Sequence, residues 1–185
     1  PEDPEIEKKV KEFSMTLIQQ IDTLSSIASA FSNFAKMPAQ QNETLNVVEV
    51  VKLALDIFNE PFIHFMSDEE ELVAKMDRTQ LIRVVTNLVK NAIQALPEQR
   101  NPRIVVTVAS EADMAVISVA DNGKGIEEAF TDKIFEPKFT TKSSGMGLGL
   151  GMVKTIVETY KGRIDFTSHP GKGTVFNVRI PKVNT

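Results

Sequence analysis

The N-terminal segment carries apolar side chains at the spacing of a coiled coil. One series recurs every seven residues and comprises Val10, Leu17, Leu24 and Phe31. A second, offset series comprises Ile6, Phe13, Gln20, Ile27 and Phe34. Together they form the a and d positions of a heptad seam. Neither glycine nor proline interrupts the seam before Pro38, so the pattern predicts one helix over residues 5–37, about 50 Å long.

A helix with a continuous apolar seam needs a partner. Three further side chains widen the seam, namely Ile21, Ala28 and Ala35. A stripe of that width is more typical of a four-helix bundle than of a two-stranded coil. We therefore expect self-association through this helix, against the alternative that it packs on its own domain.

Beyond the polar stretch MPAQQNET, short apolar runs alternate with amphipathic segments. The pattern predicts helices over residues 47–58, 78–96 and 149–160, the first two capped by Asn46 and Asp77. The predicted strands are PFIHFM, ELVAKM, RIVVTVAS, MAVISVA, RIDFTS and TVFNVRI, of which the last two form a hairpin around HPGKG. This order indicates an α+β two-layer sandwich with its helices on one face of the sheet. We expect one domain over residues 43–185, preceded by the helical segment 1–40.

Composition and charge limit the classes of function. The 42% apolar and 25% charged residues are those of a globular protein, and a net charge of -4 argues against nucleic acid as a partner. No apolar run is long enough to span a membrane, so we expect no membrane contact by this chain. The absence of cysteine fits a reducing compartment, and we expect a cytoplasmic location. Because the chain opens at Pro1 with no signal segment, we expect it to be a piece of a longer protein.

A polar stripe follows the predicted helix LIRVVTNLVKNAIQAL. Its members are Arg83, Asn87, Asn91 and Gln94. Two asparagines one turn apart can offer amide oxygens to a hard cation such as Mg²⁺, which prefers oxygen ligands. The alternative is a solvated stripe with no ligand.

The strand MAVISVA runs directly into DNGKGI. Asp121 ends the strand, and its ionised carboxylate can only accept hydrogen bonds, which suits an exocyclic amine such as that of adenine. Gly123 and Gly125 allow the backbone to approach a flat ring or to take positive φ. The alternative is an ordinary turn.

A long loop of little periodicity, residues 122–148, ends in the glycine run GMGLGLG. Thr140, Thr141 and Lys142 supply hydroxyls and a cation beside the run, and the run opens a helix whose amides attract anions. A Rossmann fingerprint does not fit because the spacing differs and no strand precedes it. GKGT at residues 171–174 is likewise not a P-loop, so the sequence favours a triphosphate held in another way.

The ordered segments NLVKNAIQAL, DNGKGI, IFEPKFTTK, GMGLGLG and GKGT resemble the N, G1, F, G2 and final glycine–threonine boxes of the sensor histidine kinase catalytic domain. The resemblance covers residues 43–182. It implies the histidine-kinase-like ATPase fold, with a mixed sheet and three helices on one face. The preceding segment LSSIASAFSNFAKMP resembles the second helix of the dimerisation and phosphotransfer hairpin, most like that of nitrogen-regulation-type kinases.

This resemblance implies ATP and Mg²⁺ as cofactors. Asp121 would bind the adenine amine with help from Gly125 and, through water, Thr174, while Asn91 would bind Mg²⁺. Segments 140–142 and 145–150 would form the lid over the triphosphate and its hinge. The full set of expected binding residues is Asn87, Lys90, Asn91, Asp121, Gly123, Gly125, Ile126, Thr140, Thr141, Lys142, Gly145, Met146, Gly147, Leu148, Gly149, Leu150 and Thr174.

The resemblance also implies transfer of the γ-phosphate to a histidine and then to an aspartate on a response regulator, within a homodimer. No histidine precedes His64, so we expect the acceptor histidine to lie on a dimerisation helix absent from this chain and no catalytic residue within it. We expect His64 and His169 to be structural. Two other hypotheses stay open: a serine kinase of the anti-sigma-factor type, and a module that senses or scaffolds through ATP without transferring phosphate.

Overall fold

The computed structural model describes residues 13–18, 20–21, 41–96, 101–136 and 149–183. Of the helix predicted over residues 5–37, residues 13–18 and 20–21 are helical and are named α1, and the rest lies outside the described residues. The described residues of α1 belong to one compact unit and those from residue 41 onward to another. Phe13, Leu17 and Ile21 expose 67%, 47% and 62% of their surface. These described positions of the apolar stripe are therefore open to solvent.

The second unit contains two kinds of layer, one of strands and one of helices. Its strands are β1 Glu43–Asn46, β2 Ile63–Ser67, β3 Val73–Met76, β4 Ile104–Glu111, β5 Met114–Asp121, β6 Arg163–His169 and β7 Gly173–Pro181. Its helices are α2 Val47–Leu55, α3 Arg78–Ala95, a 3-10 helix Glu128–Lys133 and α4 Gly149–Thr159. Among the described residues, no helix is both long and apolar enough to cross a membrane.

The main sheet has the strand order β2-β4-β5-β7-β6. Strand β2 pairs parallel with β4, and the other neighbouring strands pair antiparallel. The predicted α+β sandwich with a mixed sheet is therefore confirmed. A separate two-stranded sheet pairs β1 with β3. The sequence does not predict strand β1, because Glu43 and Thr44 belong to the polar stretch MPAQQNET and Asn46 is the expected cap of α2.

Two asparagine or aspartate caps begin the helices where the sequence predicted them. The Asn46 side chain accepts a hydrogen bond from the Val48 amide at 3.0 Å. Asp77 Oδ1 accepts hydrogen bonds from the amides of Thr79 and Gln80. Because each cap satisfies amides that lack a partner within the helix, it fixes the first turn. Helix α2 ends at Leu55, three residues before the predicted end at residue 58.

The core lies between the helices and one face of the main sheet. Leu88 of α3, Ile117 of β5 and Val178 of β7 are fully or almost fully buried there. The opposite face carries a polar network. Within it, the Ser118 hydroxyl donates to Asn177 at 2.7 Å, and Arg179 forms ion pairs with Asp165 and Glu111. This difference between the faces matches an antiparallel sheet with one packed and one solvated side.

Tyr160 joins the end of α4 to the start of α3. Its phenol oxygen accepts a hydrogen bond from the backbone amide of Asp77 at 3.2 Å. The second carboxylate oxygen of Asp77 accepts a hydrogen bond from the amide of Gln41 at 3.0 Å. Burial raises the pKa of Tyr160 above its ordinary value, the negative charge of Asp77 raises this pKa further, and the hydrogen bond from Asp77 lowers it.

We expect Tyr160 to ionise at a higher pH in the folded chain than in the chain unfolded by urea. The neutral phenol is favoured in the fold, so its contribution to stability is complete below the unfolded pKa of about 10 and is lost as pH rises through the folded pKa. The chain contains a single tyrosine, so tyrosinate absorbance reports this group alone. If Tyr160 ionised at the same pH in the folded and the urea-unfolded chain, its pKa would not be raised by burial.

Asp77→Asn is the companion variant for this titration. It removes the negative charge beside the phenol and keeps a capping side chain at the start of α3. Because burial is the largest cause of the raised pKa, we expect the midpoint to fall only partway toward that of the unfolded chain.

Candidate functional site

Four strands of the main sheet contribute one residue each to a row that crosses it. Ile104 of β4 pairs with Asp121 of β5, Asp121 pairs with Thr174 of β7, and Thr174 pairs with Ser168 of β6. We call these four residues the cross-sheet row. Directly paired residues lie on the same face, with Cβ atoms about 5 Å apart. The row therefore brings the predicted residues Asp121 and Thr174 side by side.

The loop after Asp121 is fixed by hydrogen bonds at several points. The buried Gly123 amide donates to Asp121 Oδ1 at 2.8 Å, which orients the carboxylate. The Lys124 amide donates to the carbonyl of Ala95 at 2.9 Å, so the loop is joined to the end of α3. The Asn122 side chain accepts from the Arg103 amide at 2.9 Å. The segment predicted as a binding loop thus has a defined shape and is held against two elements.

Gly125 allows this loop to contact the β6–β7 turn. Its φ is +71°, and a Cβ at this position would overlap the carbonyl oxygen of His169. The Gly171 amide donates to the carbonyl of Lys124 at 2.7 Å. Ile126, the next predicted residue, donates its amide to the Ser168 hydroxyl at 2.8 Å. A side chain at residue 125 would force the loop and the turn apart.

Gly173 allows a second close backbone contact, at the start of β7. Its φ is +110°, and a Cβ here would overlap the backbone carbonyl oxygen of Asp121. The next residue, Thr174, is 4% exposed. The close approach at Gly173 is what lets Thr174 lie directly beside the aspartate.

Ser168 belongs to this group but was not predicted from the sequence. Its oxygen lies 3.1 Å from the Gly173 carbonyl and 2.9 Å from the Thr174 hydroxyl, besides accepting from Ile126. The signal that could have found it is the alternation of β6, which places Ser168 on the half-buried side. Recognising its partner would also have required the register of the hairpin.

The predicted asparagine stripe lies on α3 and faces the first residue of α4. The Asn87 side-chain amide donates to the carbonyl of Arg83 at 2.8 Å, which leaves its oxygen directed away from that carbonyl. A Cβ on Gly149 would lie 3.2 Å from this oxygen and 3.9 Å from the side-chain nitrogen of Asn91. The absence of a side chain at Gly149 therefore lets the start of α4 lie close to the two asparagines. Lys90 is exposed, and Leu150 is half-buried beside Gly149.

Asn91 offers the ligand chemistry of a hard cation. Its half-buried side chain makes no hydrogen bond to any residue in the described ranges. Within those same ranges, no group of three or more carboxylates and histidines could hold a metal by itself. An amide oxygen suits a cation such as Mg²⁺, which takes few protein ligands and completes its shell with water and phosphate oxygens.

Seven predicted lid residues lie outside the described residues, namely Thr140, Thr141, Lys142, Gly145, Met146, Gly147 and Leu148. The segment that leads toward them is packed in place. Ile134 is buried, and the Phe135 ring contacts the Phe166 ring edge-on with centroids 5.9 Å apart. The Lys154 ammonium of α4 lies 5.7 Å from the centre of the Phe135 ring. The segment that precedes the predicted lid is therefore attached to both β6 and α4.

The imidazole rings of the two histidines belong neither to the cross-sheet row nor to the asparagine stripe of α3. His64 is exposed on the edge strand β2. His169 is exposed at the end of β6, where its carbonyl accepts a hydrogen bond from the Lys172 amide at 3.0 Å.

Comparison with known proteins gives a family match over most of the second unit. Residues 76–184 match the family described as histidine kinase-, DNA gyrase B-, and HSP90-like ATPase. The catalytic domain of the histidine kinase ThkA, in a nucleotide-free form, is 34% identical with a TM-score of 0.69. That match covers 77% of this chain and 96% of the ThkA domain.

Longer relatives extend the match to almost the whole chain. An NtrY-like sensor histidine kinase of Rickettsia conorii is 31% identical over 96% of this chain and 31% of its own length. Sporulation kinase A of Bacillus subtilis is 31% identical over 90% of this chain and 28% of its own length. The chain thus spans about three tenths of these curated relatives. A structure of ThkA in complex with the response regulator protein TrrA matches 99% of this chain and 53% of that chain, with a TM-score of 0.73 and 28% identity.

We expect Gly173→Ala to lower the free energy of unfolding by about 2–4 kcal/mol, since its Cβ would meet the Asp121 backbone and its φ is unfavourable for alanine. Gly171→Ala is the matched control in the same turn. Its φ is +74°, but nothing lies within 4 Å of the added Cβ, so it should cost about 1 kcal/mol. Urea unfolding measures both. Equal losses would show that the contact with Asp121 is unimportant.

Proposed function

Because the chain belongs to the family of histidine kinase-, DNA gyrase B- and HSP90-like ATPases, we propose that residues 43–185 are the ATP-binding catalytic domain of a sensor histidine kinase. The whole protein would transfer the γ-phosphate of ATP to a histidine on a dimerisation helix outside this chain. A response regulator aspartate would then receive the phosphoryl group. The domain would supply ATP binding and orientation, and the acceptor histidine would come from elsewhere.

The position of Asp121 is the observation that carries this proposal. The carboxylate ends a central strand, beside Thr174 and with its Oδ1 bound by the Gly123 amide. A carboxylate accepts hydrogen bonds and repels a carbonyl oxygen. It would therefore bind the exocyclic amine of adenine and reject the oxygen that guanine carries there. Gly125 and Ile126 would lie along the ring.

The phosphates would lie toward the asparagines of α3. Asn91 would contribute its oxygen to Mg²⁺, Asn87 would support it, and Lys90 would add a positive charge. Gly149 and Leu150 would begin the helix that faces the phosphates. The lid would come from residues 140–148. Phosphoryl transfer depends mainly on positioning and on neutralising charge in the transition state, and these are the contributions such residues can make.

Residues 1–40 would be the second helix of the dimerisation and phosphotransfer hairpin. The exposed Phe13, Leu17 and Ile21 support this assignment, because they lie one turn apart and are open to a partner helix. The protein would act as a homodimer in the cytoplasm, with a response regulator receiver domain as its partner. The ThkA–TrrA complex is a relative in which a histidine kinase binds such a protein. This chain itself would contact neither nucleic acid nor membrane.

We expect Asp121→Asn to weaken ADP binding at least about 100-fold, because the charge is lost and an amide can turn its donor toward the adenine amine. Isothermal titration calorimetry on the purified chain measures the affinity. Asp165→Asn is the matched control, since it removes an exposed carboxylate from the opposite face of the sheet. Near-normal ADP affinity in Asp121→Asn would refute the adenine assignment.

We expect the full-length protein to acquire an acid-labile, base-stable label from γ-labelled ATP in the presence of Mg²⁺. Asn91→Ala should reduce the labelling rate by about tenfold or more, through loss of a metal ligand. Gln94→Ala removes an exposed amide from the same helix and should leave the rate unchanged. Acid-stable label would point to a serine kinase instead. ADP binding without any label would point to a sensing module.

A further inference from the structure

The Ser168 hydroxyl makes three polar contacts, and the chemistry of each partner restricts the position of its hydrogen. Its oxygen lies 2.8 Å from the Ile126 amide nitrogen, 3.1 Å from the Gly173 carbonyl oxygen and 2.9 Å from the Thr174 hydroxyl oxygen. An amide N–H can only donate, and a carbonyl can only accept. The hydroxyl has one hydrogen and two acceptor positions.

One arrangement satisfies all three contacts at once. Ser168 accepts from Ile126 and donates its single hydrogen to the Gly173 carbonyl. It then has no hydrogen left for Thr174, so the Thr174 hydroxyl donates to Ser168. If Ser168 donated to Thr174 instead, the oxygens of Ser168 and Gly173 would face each other with no hydrogen between them. Such a contact is unfavourable for buried polar groups.

This arrangement determines what Thr174 offers to its other neighbours. Its hydrogen is directed at Ser168, so the rest of its oxygen surface can only accept. Thr174 is paired directly with Asp121 and is 4% exposed. The cross-sheet row therefore presents two acceptors side by side, a carboxylate and a hydroxyl oxygen that cannot donate.

We propose that Ser168 is a positioning residue that holds Thr174 as an acceptor, and that it thereby sharpens selection for a purine with an exocyclic amine over one with an exocyclic oxygen. This inference rests on the proposed ATP site. An exocyclic amine donates to such a surface, directly or through one water. An exocyclic oxygen would meet acceptors alone and would leave them unpaired. Ser168 acts through Thr174 and does not itself contact the base.

The test compares affinities for ADP and IDP, which differ in adenine against hypoxanthine. Calorimetry would measure both for the wild-type chain, Ser168→Ala, Thr174→Val and the double variant. In Ser168→Ala, the Thr174 hydrogen is free to turn toward an exocyclic oxygen. We expect the preference for ADP over IDP to fall about three- to tenfold. Thr174→Val should lower it similarly, and the double variant should match Thr174→Val because Ser168 has nothing left to orient.

Ser118→Ala is the matched control, since it removes a hydroxyl from the other face of the same sheet. It should leave both affinities unchanged. A purely structural role for Ser168 predicts that Ser168→Ala weakens ADP and IDP equally, and an unchanged preference would overturn the inference. A further fall in preference in the double variant would also overturn it, because Ser168 would then act independently of Thr174.

The experiment separates this inference from the proposed function. If the wild-type chain shows no preference for ADP over IDP, the adenine assignment of Asp121 is wrong. If the preference exists and survives in Ser168→Ala, the role of Ser168 alone is wrong. Circular dichroism checks the fold of each variant. Should Ser168→Ala fail to fold, Ser168→Cys takes its place. Its thiol fills the space but is a weak acceptor, so the same fall is expected.

Discussion

The pairing of β5 with β7 in one register is the constraint on which the candidate site depends. That register sets Asp121 opposite Thr174. Because side chains alternate between the two faces of a strand, a shift by one residue would turn Thr174 toward the solvated face. The buried side chains on the packed face, such as Ile117 and Val178, resist such a shift. Packing of the hydrophobic core on the same face of the sheet therefore fixes the register that places Asp121 beside Thr174.

Helix α3 joins the two halves of the site. Its last residue, Ala95, accepts the hydrogen bond that holds the loop after Asp121, and Asn91 lies one turn earlier on the same helix. A helical turn rises about 5 Å, so one rigid helix positions both the loop proposed to bind the base and the asparagine proposed to act near the phosphates. Packing of Leu88 and Val85 against the core fixes that element in turn.

Much of this arrangement could be predicted from local sequence. The capping residues Asn46 and Asp77 predict the starts of two helices. The short apolar runs predict six of the seven strands that the structure describes. Asp121 and Asn91 are identifiable from the sequence, because a carboxylate at the end of a strand can accept from an amine and an amide near the end of a helix can bind a cation. The family match confirms the resemblance on which the fold was expected. The roles of the individual residues, the lid at residues 140–148 and most of the helix over residues 5–37 stay predictions.

What could not be predicted depends on pairing between distant segments. Nothing in the local sequence distinguishes Ser168 from the other serines, because its contact with Thr174 depends on the register of β6 and β7. The polar strand β1 likewise forms only because it pairs with β3. The same non-local order has a consequence for synthesis. Strand β7 follows every other strand of the main sheet in the chain, yet it lies between β5 and β6. Until it leaves the ribosome, β5 has an unpaired edge and can pair with another nascent chain.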